Sequence, residues 1–377
     1  MNILSIGLDR ELFVENSDVQ SRQKDQAALV GEMHIVVFAK RSLGLKKIQF
    51  GNLYIYPTNS KNKLMYFFDA IRIGLRVLSD INKKFIITTQ DPYETGIVAW
   101  CLSKKKKIPF QVQIHTDIFS SVFVRKPFSN RIRVCIAKCI IPKASNVRVV
   151  SKKIKDSIVQ TCGSQLLGKI FVLPVFIRLE PFFLCGKEKE LSKDKLIILV
   201  VSRFEKEKNV TLSLRVMRKV LQKCSEAKMI VVGDGALRGQ LENMVKEFKI
   251  DERMEFVGWQ EDLVPYYKRA DVFLNTSNYE GYGRTLIEAA AASCAVVTTD
   301  VGIVGDVLTD GNGAYVCSPE DEKCLVQKLL MLCINREKRE LCAQSARQEV
   351  LAKAVFEKEI YYKKLSESWH DLFTQKQ

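Results

Sequence analysis

The sequence predicts an α/β protein built from two doubly wound, Rossmann-like domains facing across a cleft. Three observations carry this. The chain has 377 residues, enough for about two domains at roughly 100–200 residues each. Short β-branched runs alternate with segments of helical periodicity throughout, as parallel sheets covered on both faces require. The alternation breaks once, over Pro174–Asp194, where Pro174, Pro181, Gly186 and the mixed-charge run Lys187–Asp194 read as an interdomain linker.

In the first half, Asn2–Gly7, His34–Ala39, Phe85–Thr89, Phe110–His115, Asn146–Val150 and Lys169–Leu173 are apolar runs of strand length. Between them, Val19–Val30, Leu64–Ser79, Tyr93–Leu102, Asn130–Ile141 and Ser151–Thr161 repeat apolar residues at helical spacing. The second half repeats the scheme. Its strands are Lys195–Val201, Lys228–Val232, Met254–Val257, Val272–Asn275, Ala295–Thr299 and Ala314–Val316. Its helices are Val210–Gln222, Leu237–Phe248, Leu263–Ala270, Thr285–Ala292 and Asp321–Leu332, and an amphipathic tail, Lys338–Leu372, closes the chain. The expected boundaries are a first domain at 1–175, a linker at 176–194, a second domain at 195–350, and a helical tail at 351–377 able to pack back on the first domain. Open parallel sheets bind ligands beyond the carboxyl ends of their strands, so the cleft between two such sheets is the natural site.

At 47% hydrophobic and 27% charged residues, with 19 Gly and 9 Pro, the composition excludes disordered, collagen-like and mucin-like chains. The eleven cysteines are scattered, many in apolar or helical runs, without paired CxxC spacing. Buried thiols in a reducing compartment fit them better than a disulfide framework or a zinc site. The opening MNILSIGLDRELF lacks a basic n-region and reads as a first strand, not a signal peptide. No run of about 18 apolar residues offers a membrane span. A cytoplasmic protein is expected, or one held peripherally at the inner face of the plasma membrane.

Net charge is +16, and it is lopsided: residues 1–190 carry 31 Lys and Arg against 15 Asp and Glu, while the remainder is balanced at 28 of each. Such a field calls for an anionic partner of the first half: nucleic acid, an anionic membrane surface or a phosphorylated substrate. The other reading is a solvated basic face.

The residues with the most chemistry lie in the second half. Glu280-Gly-Tyr-Gly-Arg-Thr-Leu-Ile-Glu288 follows a strand. Gly281 and Gly283 allow a sharp turn and close backbone approach, and the helix starting near Arg284 leaves N–H groups free to receive an anion. Two carboxylates there suit hydrogen bonds from sugar or ribose hydroxyls; alternatively, Glu280 is a solvent-exposed loop residue and Glu288 complements the helix dipole. The strand Lys195–Val201 ends in a cationic loop, where Arg203 can grip a pyrophosphate in a fork and Lys208 as a point charge, unless both are ordinary surface cations. Gly233-Asp-Gly235 resembles half of a dinucleotide fingerprint but lacks its third Gly, and reads rather as a tight strand-to-helix turn. Trp259, ending another strand, either borders a base or packs. In the first half, His115 ends a strand on the cleft side, where an imidazole can donate to a phosphate or sugar oxygen. His34 and His370, the other two histidines, read as structural.

Taken together, Ser202-Arg203…Lys208, Val231-Val-Gly-Asp-Gly-Ala-Leu, Phe256-Val-Gly, Ala270-Asp-Val-Phe-Leu-Asn-Thr-Ser, the Glu280/Glu288 pair and Gly311-Asn-Gly resemble the catalytic domain of retaining nucleotide-sugar glycosyltransferases of the group-1 type (family 4, GT-B fold). The resemblance covers about Lys195 to Leu332; the first half matches only in layout and at His115. It implies that Arg203 and Lys208 bind the donor diphosphate and stabilise the leaving nucleotide. Glu280 would take donor-sugar hydroxyls and Glu288 the ribose. Backbone N–H groups around Gly283, Arg284 and Thr285, with Gly281, Tyr282, Gly233 and Trp259, would complete the donor site. His115 would act from the other domain. It further implies a UDP- or GDP-sugar donor, retention of anomeric configuration, and no metal or other cofactor, cations and helix N-termini supplying the positive charge. Two departures stand out. The place of the family's Gly-rich first loop reads Gly7-Leu-Asp-Arg-Glu-Leu-Phe, and Asn209 stands where a Gly often follows the loop lysine.

The basic first half would then face the acceptor. Phe119, Val122, Phe123, Val124 and Phe128 interleave with Arg125 and Lys126, and Asn130–Ser145 mixes cations with isoleucines. This reads as an interfacial contact for a lipid-linked acceptor in cell-envelope polysaccharide or glycolipid synthesis, or as a core helix with a solvated basic face. The alternative functions are another GT-B sugar-nucleotide enzyme, or a basic nucleic-acid-binding α/β protein. Nucleic acid is not expected, because the basic half is not the half with the motifs.

Overall fold

The computed structural model describes residues 1–80, 82–125, 128–184, 196–354 and 357–374, the side chains of 122 and 125 aside. The chain forms two units: Met1–Pro174 with Glu357–Gln377, and Val175–Phe356. Both are α/β with a parallel sheet, as the alternating pattern predicts.

In the first unit the strands are β1 (Asn2–Gly7), β2 (Met33–Val37), β3 (Ile48–Phe50), β4 (Leu53–Pro57), β5 (Phe85–Thr89), β6 (Phe110–Ile114), β7 (Asn146–Val149) and β8 (Ile170–Val172). Their order is β3-β4-β2-β1-β5-β6-β7-β8, all parallel except that β3 runs antiparallel to β4. β1, β2 and β5 are almost wholly buried, which is why they read as continuous apolar runs and not as alternating ones. The β3–β4 hairpin is not legible in the apolar pattern. β3 has only three residues, and β4 alternates buried Leu53 and Ile55 with half-buried tyrosines, so it shows no apolar–polar contrast; the turn rests on Gly51 at φ 55°.

In the second unit the strands are β9 (Ile197–Val201), β10 (Lys228–Val232), β11 (Met254–Gly258), β12 (Val272–Asn275), β13 (Ala295–Thr299) and β14 (Tyr315–Cys317). The order is β11-β10-β9-β12-β13-β14, parallel throughout. Its core packs Ile198, Val231 and Leu274 of the sheet with Leu214, Leu241 and Leu329 of the covering helices.

Three expectations change. The tail is two helices, not one. Arg336–Lys353 packs on β13 and on the helix Arg284–Ala291, whereas Lys358–Thr374 belongs to the first unit. There Trp369 and Leu365 are buried, and Tyr361 accepts a hydrogen bond from the buried Arg148 at 2.8 Å. Inside the segment read as a linker, Glu180–Leu184 is helical and stacks Phe182 edge-on against Tyr267 at 5.5 Å; residues 185–195 lie outside the description. Finally, Cys317 and Cys324 form a disulfide joining β14 to the start of the helix Glu322–Ile334, so this pair is not thiol. No helix among the described residues is long and apolar enough to cross a membrane.

Candidate active site

From β9 the chain runs outward to β10 and β11; β12 restarts on the other side of β9 and runs to β13 and β14. The two loops leaving this switch point therefore diverge and open a crevice at the strands' carboxyl ends. They are Ser202–Asn209 and Thr276–Gly283. The sequence motifs sit on these loops because βα connections are the one part of a doubly wound sheet not committed to packing.

The loops are tied together at their centre. Lys208 donates to Glu280 Oε1 at 2.7 Å, both side chains being largely buried at 16% and 14% exposure. Asn278 N–H donates to the Glu207 carbonyl at 2.8 Å, and the Thr276 hydroxyl to the Asn209 carbonyl at 3.0 Å. Asn209 holds φ 48°, a left-handed conformation that Asn tolerates next best after Gly. The departure from glycine at this position thus keeps the backbone geometry.

A buried polar chain lies behind Glu280. The Ser277 hydroxyl lies 2.8 Å from both Glu280 Oε1 and Asn275 Oδ1. Asn275 Nδ2 donates to Thr298 at 3.1 Å, and the Thr299 hydroxyl donates to the Ser277 carbonyl at 2.6 Å. Ser277, Thr298 and Thr299 are all but inaccessible. Sequence reasoning missed Asn275 and Ser277. The signal was a polar Asn-Thr-Ser ending an otherwise apolar strand, where polar groups need a buried partner.

Gly283, at φ 86°, is the N-cap of the helix Arg284–Ala291, with no side-chain cap on its first N–H groups. Glu288 sits one turn in, buried to 4% exposure. It accepts from Tyr267 at 3.1 Å and faces Arg284 at 3.5 Å. Burial raises its carboxyl above the ordinary range against the opposing pull of Arg284 and Tyr267. Glu288 is therefore not a solvated helix residue. Tyr267, invisible as a site residue in the sequence, enters through packing alone.

The remaining predicted residues are placed as follows. Arg203 is exposed, its guanidinium 3.3 Å from Glu207. Beside it, the shielded Ser202 Oγ has no hydrogen-bond partner among the described residues. Gly233 holds φ 134°, and a Cβ there would strike the Ser202 carbonyl, so this glycine seats the Arg203 loop against β10. Gly281 and Thr285 are half-buried and Arg284 exposed. The Tyr282 ring is buried, which pushes its phenol up. Trp259 follows β11 at 71% exposure. His115 belongs to the first unit, just past β6, and is exposed.

Residues 186–349 match the family described as Glycosyl transferases group 1. The chain is 23% identical over 307 residues to the alpha-monoglucosyldiacylglycerol synthase of Acholeplasma laidlawii, covering 76% of this chain and 75% of that protein. It is 29% identical over 181 residues to an N-acetylgalactosamine-N,N'-diacetylbacillosaminyl-diphospho-undecaprenol 4-alpha-N-acetylgalactosaminyltransferase of Campylobacter jejuni, which spans 48% of each chain. The fold is that of sucrose-phosphate synthase from Thermosynechococcus elongatus, with TM-score 0.81, 19% identity and full coverage of both chains. It is also that of Anabaena HepE in complex with UDP and glucose, with TM-score 0.74, 16% identity and 98% and 100% coverage. Residues 186–349 therefore carry a match to glycosyl transferases group 1, and the chain shares the GT-B fold with these solved structures.

Proposed function

We propose that the chain is a retaining, family 4 enzyme that moves a hexosyl or related sugar from a UDP- or GDP-sugar to a hydroxyl of a saccharide or lipid-linked acceptor, in cell-envelope polysaccharide or glycolipid synthesis. The observation that carries this is the buried Lys208–Glu280 contact of 2.7 Å beside the Gly283-capped helix N-terminus. Such a pair sets a cation for phosphate next to a carboxylate for hydroxyls.

In this reading Lys208 and Arg203 neutralise the diphosphate as the glycosidic bond breaks, with first-turn N–H groups and the Ser202 hydroxyl adding donors. Glu280 orients the donor sugar and Glu288 the ribose. Gly281, Tyr282, Arg284 and Thr285 contribute backbone contacts, Gly233 seats the loop, and Trp259 borders the base. No metal is required, since fixed cations supply the charge. The acceptor is presented at the inner face of the plasma membrane, where the protein is peripheral.

A nucleotide-sugar panel tests the reading. Turnover with one UDP- or GDP-sugar, insensitive to EDTA, with the donor's anomeric configuration kept in the product by NMR, is the expected result. Lys208→Ala, Arg203→Ala and Glu280→Ala should each cut kcat by about two to three orders of magnitude. Near-full activity of any of them would refute its role, and an inverted product would refute retention.

A further inference from the structure

Two helices of the first unit expose large apolar side chains at the same end. Both follow parallel strands, so both start at the carboxyl edge of the sheet, and both pack against the helix Glu94–Lys106 between them. At the start of Tyr66–Val77, and in the turn before it, Leu64 is 83% and Phe68 61% exposed; at the start of Phe128–Ile140, Phe128 is 72% and Ile132 52% exposed.

These are not leftovers of a core face. Phe128–Ile140 buries Val134, Ala137 and Ile140 on its other side, so each helix satisfies its own fold and still presents an apolar tip. Parts of the interfacial segment expected from the sequence lie elsewhere. Phe123 is a core residue, and the Val122 and Arg125 side chains and Lys126 lie outside the description.

Exposed cations flank the tips: Lys61, Lys63 and Arg72 at the first, and Arg131 at the second. The acids nearby are engaged, Asp69 with Arg72 at 3.0 Å and Glu94 with Arg133 at 2.6 Å. Apolar tips with exposed lysine and arginine beside them match an anionic bilayer, whose headgroups attract the cations while the acyl boundary takes the tips. A second copy would bring like charges together, which disfavours it.

We infer that this rim, Leu64 and Phe68 with Phe128 and Ile132 and their flanking cations, inserts into the surface of an anionic lipid membrane. The inference rests on the proposed function only for its purpose, bringing the enzyme to a membrane-held acceptor; the binding stands on the rim itself.

Co-sedimentation of the full chain with phosphatidylglycerol-containing and pure phosphatidylcholine vesicles, at low and high salt, tests it. Wild type should bind the anionic vesicles preferentially. The Leu64→Ser/Phe68→Ser and Phe128→Ser/Ile132→Ser pairs should each weaken binding about tenfold or more at low salt. Lys61→Glu/Lys63→Glu should weaken it and flatten the salt dependence. Melting temperature and UDP- or GDP-induced stabilisation, read on every variant, should stay at wild-type values because these positions are exposed. Equal or absent binding to both vesicles, binding indifferent to the apolar substitutions, or self-association lost in the same variants would each overturn the inference. Vesicle binding without nucleotide stabilisation would overturn the proposed function and leave this one standing.

Discussion

Glu280 shows how the fold fixes a single carboxylate. It accepts from Lys208 on one loop and from Ser277 beneath it, so its oxygens are oriented before any ligand arrives. Such preorganisation avoids reorganisation at the moment of reaction. Removing the hydroxyl should cost what a hydrogen bond to a charged group is worth, about 1.5–3 kcal/mol. Ser277→Ala is therefore expected to lower kcat about ten- to a hundredfold while the melting temperature falls only slightly, and Ser277→Thr should recover part of the loss. Steady-state kinetics with thermal melts separate this from a merely structural role, which would move the melt and spare kcat.

At the scale of elements, the crevice depends on backbone conformations that most side chains refuse. Gly233→Ala adds a Cβ against the Ser202 carbonyl at φ 134°. Backbone strain of this kind costs about 1–3 kcal/mol, so donor affinity and melting temperature should fall together. Asn209→Gly should be close to neutral, and Asn209→Val should lose about 1–2 kcal/mol for its left-handed backbone. Helix pairing makes a pH-dependent statement. Glu322, at the start of Glu322–Ile334, is held below the usual carboxylate range by Lys219, against burial, with Arg215 adding to the effect. A lowered folded-state value stabilises above the unfolded one, about 4.3, and that stability is lost as pH falls through the folded value. Glu322→Gln should thus be less stable by about 0.5–1 kcal/mol at neutral pH, with the deficit vanishing in acid. Denaturant melts across a pH series check it.

For the whole molecule, the chain's last helix matters more than its position suggests. Lys358–Thr374 belongs to the unit that begins the chain. Its Tyr361 meets Arg148, whose guanidinium also donates to the Leu173 and Pro174 carbonyls at the end of that unit's main segment. Trp369 is 1% exposed. Trp369→Ala should destabilise this unit by about 3–5 kcal/mol. Nucleotide-induced stabilisation of Val175–Phe356 should persist in the same variant, as two-transition calorimetry would show.

How much of this was legible differs by the range of the physics involved. Strand and helix periodicity is local, so the two βα series and the break between them could be read along the chain. The Glu280/Glu288 spacing and the Arg203–Lys208 loop could be read too, because loops carrying chemistry are marked by residue types that packing does not explain. The β3–β4 hairpin was hidden because the outward positions of β4 are tyrosines, which give no polar contrast to its buried Leu53 and Ile55. The division of the tail at Ala354, the Cys317–Cys324 bond and the Asn275–Ser277 support of Glu280 all depend on partners brought together in space. By itself, then, the sequence determined two parallel α/β sheets and a carboxylate-and-cation site at strand ends. Only tertiary structure decided that Lys208 and Glu280 meet and that Glu288 is buried against Tyr267. It also decided which apolar side chains of a basic unit remain in water. Burial and pairing are properties of neighbours in space, and residues distant along the chain become neighbours only when it folds.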